Sequence, residues 1–167
     1  MNGAVNNSKA HLLAKLCMEI EGVCAELYHC LSEIHRNDPH AARLWKKTAL
    51  EEENHRKLFE LAVHLMDEVE CEFVTANMER ALIVHQKLHE LLHIVKKNPP
   101  DLITALGKAI EMEKHIADLH VESLVHFKNE GMRRMFDALY RADQDHIGSL
   151  ERYLASISPP PAGIPAM

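Results

Sequence analysis

Four acidic residues of this chain sit where a helical sequence ordinarily places leucine or alanine: Glu21, Glu52, Glu113 and Asp143. On a helical wheel of about 100° per residue, Glu52 shares its face with Ala41, Trp45, Thr48, Phe59, Val63 and Met66. Asp143 falls among Phe136, Leu139, Ile147, Leu150 and Leu154. Glu113 lies with Leu102, Leu106, Ala109, Ile116, Ala117, Leu124 and Phe127, whereas Glu111, Asp118 and Glu122 point away. Glu21 lies near Cys17, Cys24, Ala25 and Tyr28 at the edge of its stripe, opposite Glu19, Glu26 and Glu33. Any fold that buries these stripes buries four carboxylates in one small core. Uncompensated, that burial is prohibitive. Two divalent cations would compensate it.

Glu52-Glu53-Asn54-His55 and Asp143-Gln144-Asp145-His146 each place a carboxylate and an imidazole three residues apart, on one helical face. The pattern is internally repeated. Glu113 follows Glu21 by 92 positions, while Asp143 follows Glu52, and His146 follows His55, by 91. Two similar helical hairpins related by a pseudo-two-fold axis would bring all six groups together. Hard oxygen donors with two imidazoles suit iron or manganese, with zinc as a further occupant.

Punctuation between the stripes sets the predicted elements. Asn7 or Ser8 is expected to cap a first helix whose apolar pattern runs from Leu12 to Ile34, and Asp38-Pro39 opens a second reaching about Asp67. The period lapses over Val69 to Asn77, and a shorter helix follows from about Met78 to Lys97. Asn98-Pro99-Pro100-Asp101 then stops one helix and starts another, which is expected to end at Asn129-Glu130-Gly131 with the glycine left-handed. A last helix is predicted from Met132 to about Ile157, and SPPPAGIPAM is a tail that cannot be helical. The expectation is one all-α domain over 1–157, a four-helix bundle with a helical crossover between helices two and three, followed by a proline-rich tail over 158–167.

The formal charge of −6 carries no basic face, which argues against a nucleic-acid partner. No apolar run approaches the roughly 20 residues of a membrane span, and the N-terminus lacks a signal-peptide core, so a cytoplasmic protein is expected. Cys17, Cys24, Cys30 and Cys71 form no C-x-x-C pair, so they read as reduced thiols filling the core. Thirteen histidines are many for 167 residues. Among them, His85, His89 and His93 form a stripe at four-residue spacing on the crossover helix, opposite Leu82, Leu88, Leu92 and Val95. A solvated polar face or a surface metal site explains that stripe.

Over residues 8–157 the chain resembles the rubrerythrin-like branch of the ferritin-like di-iron proteins. Glu21 is followed seven residues later by Tyr28, and Leu50 to Phe59 reads LEEENHRKLF, as in that family. The resemblance implies ferritin-like connectivity, Glu52 and Asp143 bridging two metals, Glu21 and Glu113 as terminal ligands, and His55 and His146 each capping one metal. It also implies a homodimer. Tyr28 and His120 are placed either to hydrogen-bond the terminal carboxylates or simply to pack the core. The departures are specific. Asp143 stands where the family has glutamate, Ile116 replaces an additional glutamate, and His120 replaces a tyrosine. With no rubredoxin-type cysteine pairs, an external electron donor is needed. The expected function is di-iron redox chemistry on O2 or hydrogen peroxide, of ferroxidase or peroxidase type. The alternative is a non-catalytic metal-binding or iron-handling bundle.

Overall fold

The computed structural model describes residues 2–65, 75–124, 127 and 129–158. Its described elements are five helices, α1 (Asn2–Ile34), α2 (Pro39–Leu65), α3 (Thr75–Lys97), α4 (Leu102–Leu124) and α5 (Glu130–Ile157). α1 pairs with α2 and α4 with α5 as two hairpins, while α3 lies chiefly along α1 and touches α4. None of the described helices is long and apolar enough to cross a membrane.

The turns follow from particular side chains. Asp38 Oδ1 accepts from the backbone N–H groups of His40 and Ala41, each at 3.0 Å, and so caps α2 ahead of Pro39. The other oxygen, Oδ2, accepts from the Tyr153 hydroxyl at 2.9 Å, tying the end of α5 to the α1–α2 turn. Asp101 caps α4 by accepting from Thr104 N at 2.9 Å and from its hydroxyl at 2.7 Å.

Two predicted boundaries are corrected. α1 begins at Asn2, so Asn7 and Ser8 lie within the helix, because nothing in that stretch beyond Gly3 opposes helical backbone. Gly131 does not end α4: Asn129 takes the cap position of α5, accepting from Met132 N at 3.1 Å, and Gly131 falls in the first turn of that helix. No described glycine has positive φ. The predicted end of α2 at Asp67 and most of the 69–77 break lie outside the described residues, as does the tail beyond Ser158.

The core is filled by Trp45, Tyr28, Phe59, Phe136, Leu27, Leu106, Leu119 and Leu139, all essentially inaccessible to water. Each such side chain contributes about 1.5–3 kcal/mol by leaving water. Phe136 packs edge-on against Phe59 and stacks with Phe127, at centroid distances of 5.6 and 5.0 Å. On α3 the buried face is Ala81, Val84, Leu88, Leu92 and Val95. Leu82, expected on that face, is 52% exposed. Its position lies too far round the helix from the Val84, Leu88 and Val95 seam.

Candidate metal centre

Each of the four bundle helices turns one carboxylate inward. Glu21 from α1, Glu52 from α2, Glu113 from α4 and Asp143 from α5 are 0%, 2%, 0% and 1% exposed. Glu19, Glu26, Glu33, Glu111, Asp118 and Glu122 are all exposed, as the wheel requires. His55 follows Glu52 by one helical turn, His146 follows Asp143 by one, and both are buried. A third buried histidine, His120, enters from α4 between Phe59 and Phe136.

Glu52 occupies the middle. Its Oε2 is 2.9 Å from His55 Nδ1 and its Oε1 is 3.0 Å from His146 Nδ1. The two imidazoles lie nearly parallel across it, with centroids 5.8 Å apart. Glu21 Oε2 lies 3.6 Å from His55 Nδ1, and Glu113 Oε2 lies 3.5 Å from His146 Nδ1. Two triads result, Glu21–Glu52–His55 and Glu52–Glu113–His146, and within each the donor atoms lie within 4.8 Å of one another. Each triad is spaced to hold an ion, with Glu52 common to both.

Asp143 belongs to neither triad among the described residues. Its Oδ2 is 2.7 Å from His120 Nδ1, and His120 Nε2 is 3.2 Å from Glu21 Oε1. The histidine thus spans Asp143 and Glu21, as an imidazole with two ring nitrogens can and a phenol cannot. Tyr28, its counterpart by the internal repeat, donates to Glu113 Oε1. Both groups reach across to the other hairpin's terminal carboxylate, but only Tyr28 makes a hydrogen bond to it.

Known protein families, curated proteins and solved structures offer no match to this chain. The centre is therefore read from its own chemistry. Both oxygens of Glu21, Glu113 Oε2, Asp143 Oδ1, His120 Nε2 and His146 Nδ1 are buried without a hydrogen-bond partner. Several approach another polar atom closely, but not in hydrogen-bonding geometry. So many orphaned donors and acceptors in one core are unfavourable unless something else satisfies them. Cations do so: two dications balance four carboxylates, and the ligand atoms are oxygen and imidazole nitrogen, which suits divalent iron, manganese or zinc.

Without metal, protons do the balancing. Burial pushes His55, His120 and His146 down, but neighbouring carboxylates overcome it and raise them to about 10, 10 and 11. The partners are Glu21 and Glu52 for His55, Asp143 and Glu21 for His120, and Glu113 and Glu52 for His146. Burial raises Glu52 and Glu113 above the usual carboxylate range. It also raises Asp143 to about 7 against the pull of His120. At Glu21 burial is outweighed by the close approach of the His120 and His55 imidazoles, and the carboxyl stays well below its ordinary value. Burial, then nearby carboxylates, push Cys17 and Cys24 well up. They remain neutral thiols and fill space beside Glu21.

One contributor escapes the wheel. Glu51, placed by its position among solvated neighbours, has its Oε2 3.2 Å from His146 Nε2. A carboxylate on the far ring nitrogen fixes the tautomer, so that Nδ1 presents a lone pair to a metal. No spacing signals this contact, which joins residues 95 apart. Glu53, by contrast, pairs at the surface with His29 at 2.8 Å.

Proposed function

We propose that this chain is a di-metal carboxylate protein of ferritin-like type whose buried cage holds two iron ions and supports redox chemistry on O2 or hydrogen peroxide. The observation that carries the proposal is the division of Glu52, with one oxygen facing each histidine and the carboxylate shared between two triads. Glu21, Glu52 and His55 would hold one ion, and Glu52, Glu113 and His146 the other. Such a pair supplies two-electron exchange with a small oxidant at one place.

The chain's own residues set the conditions. Four buried carboxylates favour cations of high charge, and Phe59 and Phe136, buried against His120, keep bulk water from that side. Tyr28 holds Glu113 in place by donating to one oxygen, which leaves the other facing His146. His120 is hydrogen-bonded to Asp143 and turns its other ring nitrogen towards Glu21, and Glu51 orients His146. Turnover would need an external donor to return the electrons; without one the oxidation would be a single event.

A second reading, metal holding without turnover, is favoured by two features. Asp143 is engaged by His120, and the buried Ile116 contributes no carboxylate one helical turn beyond Glu113. Stopped-flow mixing of the Fe(II)-loaded chain with O2, and separately with peroxide, tests between them. Oxidation within seconds supports the redox reading. Oxidation no faster than that of Fe(II) in buffer overturns it and leaves metal holding.

A further inference from the structure

Away from the cage, α1, α3 and α4 do not close fully on one another and leave a pocket of about 160 Å3. Leu27 and Leu31 of α1, Leu91 and Val95 of α3, and Ala105 and Ala109 of α4 form its wall. Where α1 and α3 present branched side chains, α4 presents two methyl groups one helical turn apart, too short to fill the space between them. All six wall residues except Leu91 are buried. Ile94, which also lines the pocket, is more than half exposed, so the pocket opens to solvent beside α3.

An enclosed water needs about two to four polar partners, and these aliphatic walls supply none. Dry cavities of about 150 Å3 with such walls take up benzene, so a compact body of about six to eight non-hydrogen atoms suits the space here. Polar groups are confined to the rim, and most are already engaged. The Thr104 hydroxyl donates to Asp101 at 2.7 Å. Lys108 Nζ is 2.9 Å from Glu111, so the lysine lends its apolar stem to the pocket while its charge is answered outside it. Asn98 differs. Its backbone N–H donates to Ile94, but its carboxamide has no hydrogen-bond partner among the described residues. That group offers a ligand both an acceptor and a donor.

We propose that this pocket binds one small uncharged molecule, a phenol-sized apolar body carrying a single hydroxyl or N–H group. The apolar part lies against Leu27, Leu31, Val95 and the two alanines, and the polar group bonds to Asn98. A carboxylate gains little there, because Lys108, the cation that lines the pocket, is already paired with Glu111. The pocket shares no residue with the buried cage and needs no metal.

The test is a titration of the full-length chain, labelled at its leucine and valine methyl groups, with phenol, benzene and benzoate, followed by methyl NMR. Phenol is expected to shift the Leu27, Leu31, Leu91 and Val95 methyl signals saturably, with ring-to-methyl Overhauser contacts at the same residues and one molecule per chain. Benzene should reach the same methyls, and benzoate should bind more weakly than phenol. N98A should weaken phenol roughly two- to tenfold, the range of one neutral hydrogen bond, and leave benzene unchanged. A105L and A109L, which fill the pocket from α4, should each abolish binding while melting no lower than the wild type. The wild-type titration decides even where a filling variant fails to fold. No saturable shift at these methyls, benzoate binding tighter than phenol, or phenol binding undiminished in folded A105L and A109L would overturn the site. Methyl shifts that follow protein concentration and are insensitive to phenol would show a second copy covering the pocket and overturn the small-molecule assignment.

Discussion

Replacing Glu52 by glutamine separates a two-metal cage from a pair of unrelated acidic pockets. Glutamine matches glutamate in volume, and its amide oxygen can still accept from one of the two facing histidines, so the helix and its packing persist. In the metal-free chain the substitution removes charge-assisted contacts to His55 and His146 but also relieves the burial of a carboxylate already pushed upward. These effects oppose one another, and the metal-free melting temperature should change by only a few degrees, about 1 kcal/mol at 2–4 °C per kcal/mol for a chain of this size. The loaded protein is different. An ion present at a hundredfold excess over its Kd stabilises the folded chain by about 2.7 kcal/mol, so two contribute about 5.4 kcal/mol. That corresponds to a rise of roughly 10–20 °C in Tm. Because Glu52 is common to both triads, E52Q should lose both ions and nearly all of this rise, whereas E21Q or E113Q should each lose about one ion and half of it. Calorimetric melting with and without Fe(II) under anaerobic conditions, alongside metal analysis after desalting, measures both quantities. Two ions retained in E52Q, or one lost in E52Q and two in E21Q, would refute the shared-ligand geometry.

The metal-free protein should lose stability as pH rises from about 6.5 to 10. Its His55, His120 and His146 titrate at about 10 to 11 when folded, above the ordinary value of 6.5. Their contribution is therefore complete below about 6.5 and disappears as pH rises through the folded values. Ionisation of Asp143, raised to about 7, adds a loss of the same sign between its ordinary value of 3.8 and 7. Thermal melts across this range should show Tm falling, and a flat or rising profile contradicts the charge balance. The same linkage requires metal uptake at pH 7.5 to release about two protons per chain, from His55 and His146, since a metal ligand must be the neutral imidazole. Titration in buffers of different ionisation enthalpy counts them, and zero release contradicts the ligand assignment. E51Q, which weakens the acceptor for His146 Nε2, should reduce the affinity of one of the two ions by about 10–100-fold and leave the other unchanged. Equal effects on both ions, or none, would remove Glu51 from the centre.

How much of this was legible beforehand depends on the physics that fixes each feature. The 3.6-residue period decides which face of a helix is buried, and it separated Glu21 from Glu19, Glu26 and Glu33, and Glu113 from Glu111 and Asp118, without error. The Asp38 cap ahead of Pro39 and the break at Asn98-Pro99-Pro100-Asp101 were likewise visible, because they depend on neighbours in sequence. Period and caps say nothing of which rotamer a buried side chain adopts or what meets it from another hairpin. Hence the engagement of Asp143 by His120, 23 residues away, was not foreseen, nor was that of His146 by Glu51. Leu82 is a different case. Its side chain is apolar, but its place on the wheel is well away from Val84 and Leu88, the face through which α3 packs beside α1. At Gly131 two local rules competed, a glycine stop for one helix and an asparagine cap for the next, and the cap prevailed through its bond to Met132.

The most direct test of the central claim is an anaerobic Fe(II) titration of the chelator-stripped, full-length chain, counting bound iron per chain. Two ions per chain in the wild type, with both lost in E52Q, is the result this geometry requires. Saturation far below two ions, or uptake indifferent to the loss of Glu52, would contradict it.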